Sequence, residues 1–292
     1  MHNDTLNVLV VGCGNMGSSH ARAYDRLEGV TIAGLVSRGP ESRNQLSDEL
    51  GGLPTFGNYE EALAETQPDA VSINTYQGTH AEYAIKALEQ AAHVFVEKPL
   101  AETVEDAEAV VEAAQKADKK LLVGYILRHH PGWKQFIAHS KKLGKPLVMR
   151  MNLNQQSTGP QWQVHKNLMS SMSPVVDCGV HYVDMMCQMT EASPVAVHAI
   201  GARLSDEIDP EMYNYGQLQV TFDDGSVGWY ESGWGPMISE TAYFIKDTIG
   251  PKGSVSIRKD TFDDPRGESA DIGNHTKVNQ LRLHYADLDD DG

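Results

Sequence analysis

Basic side chains are scarce in this sequence: 24 lysines and arginines stand against 40 aspartates and glutamates, a formal net charge of -16. Surfaces that hold nucleic-acid phosphate or anionic lipid need clustered cations, so neither is expected as a partner. Cysteine is rarer still. Cys13, Cys178 and Cys187 are odd in number and lack metal-type spacing, so they indicate neither a disulfide framework nor a zinc site and fit a reducing cytoplasm. Long apolar runs are missing as well. Val8 to Val11 is far too short for a signal-peptide core or a membrane span, and the residues before it carry no cationic region, so neither secretion nor membrane insertion is expected. No internal repeat or low-complexity linker stands out. What remains is 292 residues, 40% of them hydrophobic, enough for two ordinary domains with real cores. A small neutral or polar molecule is the expected ligand.

Short apolar runs alternate with helical patterns from Leu6 to Gly124, as repeated βα units in a parallel sheet do. The expected strands are Val8–Val11, Val30–Val36, a short one near Thr55, Ala70–Asn74, His93–Val96 and Leu121–Gly124. Asn58 with Glu61, Thr79 with Glu82, and Thr103 with Asp106 each place a capping side chain three residues ahead of an acid, marking helix starts. After Pro131 longer alternating runs appear: Leu147–Asn154, Val195–Ala202, Gln217–Phe222, Ser226–Glu231 and Val255–Arg258. These predict a second, α+β domain with a large, mainly antiparallel open sheet. Asp224-Gly225 between two of the runs predicts a tight hairpin with positive φ angles. The domains expected are residues 1–128 and 129–292. The acidic end, Asp287 to Gly292, superficially matches the opening of a calcium loop but has no glutamate to close it, and reads as a solvated turn; no metal is expected.

Gly12-Cys13-Gly14-Asn15-Met16-Gly17 directly follows the first strand and opens a helix, the context in which a glycine fingerprint holds a dinucleotide. Gly12 permits the tight turn, Gly14 lets backbone approach the pyrophosphate, and Gly17 allows helix to pack on strand with the helix N-terminus facing the anion. An NAD-selective acid normally ends the second strand; here that place reads Val36-Ser37-Arg38. A hydroxyl followed by a guanidinium suits a ribose 2′-phosphate, so NADP is expected, with Ser37 and Arg38 as contacts, Arg43 as a helper, and NAD as the alternative. Farther on, Asp177 and His181 are four apart, which on a helix puts both on one face, where a carboxylate can orient an imidazole.

Glu97-Lys98-Pro99 ends the fifth strand. With it the chain resembles the glucose-fructose oxidoreductase / inositol dehydrogenase / MocA family over nearly its whole length. The likeness also rests on the glycine fingerprint, Asn74-Thr75 with His80, Gly124-Tyr125 with Arg128 and Pro131, and Asp177-Cys178-Gly179-Val180-His181 followed by Asp184. The resemblance implies a Rossmann domain holding NAD(P), with Gly12, Gly14, Asn15, Met16, Gly17, Asn74, Thr75, His80, Glu97 and Lys98 around the cofactor. It implies a sugar, cyclitol or related polyol as substrate, lined by Lys98, Tyr125, Arg128, Asp177 and His181, with Trp162 a further candidate for the pocket; a homodimer or homotetramer is expected because a broad antiparallel sheet needs cover on its apolar side. His181 is implied as general acid or base, with Asp177 and Lys98 in its hydrogen-bond network. Strand carboxyl ends in open parallel sheets are where ligands sit, so Lys98 is expected beside the nicotinamide, polarising the substrate oxygen. His129, His130 and His165 are further pocket candidates.

Ser170 to Pro174 stands where relatives commonly show a glycine-rich turn, and Tyr76-Gln77 replaces a Pro-Asn type pair. Relatives also usually continue with a further helix and often a strand, so the resemblance implies either a truncated chain or a lost tail after Gly292. Two alternatives keep the fold: glycoside hydrolysis through transient redox of held NAD, and a non-enzymatic NAD(P)-binding sensor. The intact Lys98, Asp177 and His181 count against the sensor.

Overall fold

The computed structural model describes residues 5–239, 245–258, 278 and 280–287. The acidic terminus, apart from Asp287, lies outside the described residues. The chain divides into two compact units between Gly124 and Tyr125.

In the first unit the elements alternate: β1 (Leu6–Val11), α1 (Asn15–Asp25), β2 (Val30–Val36), α2 (Pro40–Glu49), β3 (Thr55–Phe56), α3 (Tyr59–Thr66), β4 (Ala70–Ile73), α4 (His80–Glu89), β5 (His93–Val96), α5 (Val104–Ala117) and β6 (Leu121–Val123). All six strands are parallel, in the order β3-β2-β1-β4-β5-β6. That order reverses direction beside β1, between it and β4, and such a switch point opens the crevice where ligands bind. The inner strands β1, β2, β4 and β5 are mostly apolar because helices cover the sheet on both faces, while the edge strands β3 and β6 are partly exposed. Leu9 and Val10 on β1 are fully buried, in separate hydrophobic clusters.

Two of the three expected helix caps form. Asn58 accepts the Glu61 N–H at 2.8 Å and Thr103 accepts that of Asp106 at 3.1 Å. Thr79 does not cap. It closes a 3-10 turn, Gln77–Thr79, where its hydroxyl lies 2.7 Å from that of Thr75 and donates to the Tyr76 carbonyl at 3.0 Å, so α4 begins at His80 without a side-chain cap.

The second unit contains α6 (Pro131–Ser140), β7 (Val148–Gln156), α7 (Gly159–Leu168), α8 (Pro174–Asp177), α9 (Gly179–Thr190), β8 (Pro194–Ala202), β9 (Tyr215–Phe222), β10 (Val227–Gly235), β11 (Lys246–Gly250), β12 (Gly253–Arg258) and β13 (Gln280–Tyr285). Its seven strands form one sheet in the order β13-β12-β11-β7-β10-β9-β8. Every neighbouring pair is antiparallel except β7 with β10, which runs parallel from Val148↔Val227 to Gln156↔Gly235. Met149, Met151 and Leu153 of β7 join Trp133, Phe136, Tyr182, Met185, Met186 and Tyr230 in the core beneath the helices. The β9–β10 hairpin stands where Asp224-Gly225 predicts it, but only Gly225 takes positive φ, at 82°. Asp224 instead uses its side chain, accepting the Ser226 N–H at 2.9 Å and the Thr190 hydroxyl at 2.8 Å. Among the described residues, no helix is long and apolar enough to cross a membrane.

Candidate functional site

At the head of β1 the chain turns at Gly12, whose φ is +91°. A side chain there is barred twice, since a Cβ would also meet the Asn74 carbonyl oxygen at 2.5 Å. Gly17 is as constrained: a Cβ would fall 1.7 Å from the Gly12 carbonyl oxygen, which is how α1 lies so close against the turn. Gly14 differs, because beyond its own chain neighbours no atom of the described residues lies within 4 Å of where its Cβ would be. The backbone therefore faces open space where α1 starts, and no side chain caps that start. Uncapped first-turn amides at a helix N-terminus suit an anion, so this crossing fits a dinucleotide pyrophosphate. A methyl on Gly17 must displace backbone on one side or the other. Gly17→Ala is expected to weaken NAD(P) binding at least about tenfold and to destabilise the unit by roughly 1–3 kcal/mol. Fluorescence titration and urea unfolding measure the two, and wild-type values in both would contradict the packing argument.

The carboxyl ends of β4 and β5 are tied to each other through His80. Its ring is buried, with one nitrogen 2.7 Å from the Pro99 carbonyl oxygen and the other 2.9 Å from that of Thr75. Its contacts are thus to backbone, and it acts on any ligand through the segments it fastens. Asn74 donates its amide to the Ser72 carbonyl at 3.0 Å and to the Ser72 hydroxyl at 3.1 Å, while its buried Oδ1 has no hydrogen-bond partner among the described residues. Lys98, half-buried, stands two residues past the end of β5, and the peptide joining it to Pro99 is cis.

Glu97 proves to be a strut. Its buried carboxylate accepts from His20 Nε2 at 2.9 Å and from the Lys98 backbone N–H at 3.3 Å. Gly124 leaves room for it, since a Cβ there would come within 3.1 Å of the carboxylate. His20 sits on α1, so the glycine-turn helix is fastened to the strand end that carries Lys98. The sequence reading missed His20. Its one signal is a place on the fingerprint helix four residues beyond Met16, and a histidine there has no partner until β5 is laid beside β4.

Ser37 and Arg38 follow β2, and Arg38 is exposed. Arg43 is engaged in the turn itself, donating to the Ser37 carbonyl at 2.5 Å and the Arg38 carbonyl at 3.4 Å. It braces the loop rather than standing free as a helper.

In the second unit Asp177 ends α8 and His181 lies in the first turn of α9, with the helix interrupted at Cys178 between them. Ser173 starts this segment, accepting the Val176 N–H at 3.4 Å and donating to the Tyr213 hydroxyl at 3.0 Å, so the serine-rich stretch supplies a cap. Gly179 lets α9 approach the sheet, since a Cβ would lie 3.2 Å from the Tyr230 ring. His181 is buried, and the Tyr125 ring meets it edge-on with centroids 6.2 Å apart. The Cys178 thiol lies 3.6 Å from an Asp177 carboxylate oxygen and 3.6 Å from Gln155 Oε1, which accepts the Trp234 indole N–H at 2.7 Å.

Arg128 binds Asp184 through both ends of its fork, Nε to Oδ2 at 2.8 Å and Nη2 to Oδ1. Its guanidinium also lies over the Tyr125 ring, 5.2 Å from the centroid. Burial and the Asp184 charge push the Tyr125 hydroxyl upward against the opposing pull of Arg128, so it stays protonated. Asp184 is therefore a structural partner of two expected substrate contacts. Trp162 is buried in the core, its indole N–H donated to Glu207 at 3.2 Å. His165 is buried too, stacked on Trp234 at 4.4 Å and 2.9 Å from the Ser157 hydroxyl; burial pushes it down to about 4, against the pull of Asp177. It is neutral near pH 7.

Two family descriptions match this chain in register with its two units. Residues 6–125 match "Oxidoreductase family, NAD-binding Rossmann fold", and residues 134–244 match "GFO/IDH/MocA C-terminal domain". The chain belongs to the GFO/IDH/MocA family. It is 30% identical over 148 residues to a 4-carboxy-2-hydroxymuconate-6-semialdehyde dehydrogenase of a Sphingobium species, covering 51% of this chain and 47% of that protein. It is 30% identical over 201 residues to a UDP-N-acetylglucosamine 3-dehydrogenase of Acidithiobacillus ferrooxidans, covering 68% and 59%. The chain thus spans about half the length of the curated relatives it matches. In fold it is similar to the WlbA dehydrogenase of Bordetella pertussis, solved with NADH and UDP-GlcNAcA, with a TM-score of 0.81, 19% identity, all of this chain covered and 80% of that one.

Proposed function

We propose that this chain is an NAD(P)-dependent dehydrogenase or reductase acting on a secondary alcohol or ketone of a sugar, cyclitol or related polyol. The observation that carries the proposal is the glycine crossing, with open space before Gly14, in the same unit in which Lys98 follows the carboxyl end of β5 by two residues. Gly12, Gly14, Asn15, Met16 and Gly17 hold the pyrophosphate, and the fastened segments at Asn74-Thr75 and Glu97-Lys98 border it. When bound, the nicotinamide supplies the hydride acceptor or donor.

The chain's own residues handle the charge and the proton. The Lys98 ammonium polarises the substrate oxygen and stabilises the alkoxide as it develops. The His181 imidazole takes the hydroxyl proton and returns it in the reverse direction. Asp177 orients that step, and Tyr125 and Arg128 contact the substrate, Arg128 in a direction set by Asp184. The substrate class is supported by the relative named for carbon 3 of a nucleotide sugar, while the semialdehyde dehydrogenase supports the reaction type alone. The cytoplasm is the compartment in keeping with the few cysteines. A homodimer or homotetramer is the assembly in keeping with edge strand β8, on which Val195, Val197 and Ile200 are exposed. A panel of sugars and polyols offered with NAD and with NADP, followed by nicotinamide absorbance, tests the reaction; silence across the panel would remove it.

NADP is the preferred cofactor in this proposal. Arg38 is exposed at the end of β2, next to the Ser37 hydroxyl and with no carboxylate in the Val36-Ser37-Arg38 turn. Arg38→Ala is expected to raise the KM for NADP about tenfold or more and leave that for NAD within about twofold. An unchanged NADP constant would reverse the assignment.

A further inference from the structure

Helix α9 is apolar on two sides. Tyr182, Met185, Met186 and Met189 face the core of their unit. On another side, Val180, Val183 and Cys187 continue a stripe begun by Val176 of α8, and this stripe lines a cavity of about 440 Å³ with Leu218 of β9 and Tyr125 at its edges. The volume falls within the range of about 300–1,000 Å³ typical of small-molecule sites. The cavity is one ring away from the proposed acid-base group, since the Tyr125 ring that borders it meets His181 edge-on. Its one carboxylate, Asp184, is already bound through both oxygens to Arg128.

A wall made mostly of valine, leucine and cysteine, whose one acid is already held by Arg128, offers a sugar hydroxyl few partners to replace its water, which makes entry of a bare polyol unfavourable. An aryl or alkyl group gains from the same wall by leaving water. We infer that this cavity takes an apolar substituent, an aryl or short alkyl group, carried by the hydroxyl-bearing substrate. The inference rests on the dehydrogenase proposal for the identity of its ligand as a substrate, and deepens it: the preferred substrate is a polyol with an apolar arm rather than a free sugar.

The test compares 4-nitrophenyl and methyl β-D-glucopyranoside, which differ only in that arm. Binding to the full chain is read by saturation-transfer NMR titration without cofactor, and turnover separately with NAD and NADP. Val176 is 46% exposed and has no part in the proposed chemistry, so Val176→Gln leaves the new amide within reach of solvent; Val180→Gln is a second, deeper substitution. The expected result is binding of the 4-nitrophenyl compound about tenfold or more tighter than the methyl compound, with the gap falling to about twofold or less in both variants. Equal affinities in the wild type would overturn the inference, as would a gap that survives both substitutions. A change of oligomer mass in the variants with the gap intact would make the stripe a contact between copies and overturn it as well. A gap abolished by the variants, with no nicotinamide reduction by any sugar or glycoside, would sink the dehydrogenase proposal and leave the apolar site standing. Turnover of free polyols with no aryl preference would do the reverse.

Discussion

Lys98→Met is expected to lower kcat by about 10²–10³-fold while the dissociation constant for the dinucleotide stays within about twofold. The methionine keeps most of the apolar stem and removes only the ammonium, so the loss reports the charge. Electrostatic stabilisation is effective when the donor is held in place before the reaction begins, and Lys98 is held by its neighbours. The Glu97 carboxylate accepts the Lys98 backbone N–H and is itself anchored to His20, and the His80 ring fixes Pro99 on the other side. Stopped-flow turnover and equilibrium binding separate the two effects. A variant that binds cofactor normally and turns over at the wild-type rate would show that the ammonium takes no part in the chemistry.

His181→Ala carries the second large effect, a fall in kcat of about 10²–10⁴-fold, the usual contribution of a positioned general acid or base. The imidazole is buried against Tyr125 and sits where Gly179 draws α9 onto Tyr230. Removing it leaves a space of the shape of a ring, so added imidazole is expected to restore part of the lost rate in the alanine variant and none in Lys98→Met. A role for His181 in packing alone would show instead as lowered stability in urea, with kcat close to wild type and no response to imidazole. Tyr125 is not expected to substitute as the proton acceptor, because burial and Asp184 keep its hydroxyl protonated.

The first unit was legible almost strand by strand. Its inner strands are largely buried and so appear as mostly apolar runs, and the turns between them carry glycine or a capping side chain. Thr79 is the exception, and its failure to cap is instructive. The Thr-x-x-Glu spacing is present, but Tyr76 and Thr75 offer its hydroxyl nearer partners, and a local competition of that kind is decided by backbone the spacing does not describe. In the second unit the sequence reading missed β11 and β13. Lys246 to Gly250 is short and mostly polar, and it is a strand because β7 and β12 pair with it on either side. The parallel pairing of β7 with β10 was invisible for the same reason, since the two lie far apart in sequence and each run alternates as an antiparallel strand does.

Sequence alone determined the glycine turn and the parallel sheet, because both follow from local demands: a left-handed φ at Gly12, a forbidden Cβ at Gly17, and apolar runs that need cover on both faces. It also placed Lys98 at a strand end. Tertiary structure alone decided what holds that lysine, which carboxylate Arg128 faces, and that a second side of α9 opens onto a cavity. Those facts depend on pairs such as His20 with Glu97 and Arg128 with Asp184, 77 and 56 residues apart along the chain, and a contact across such distances exists only when the sheets have brought its two ends together.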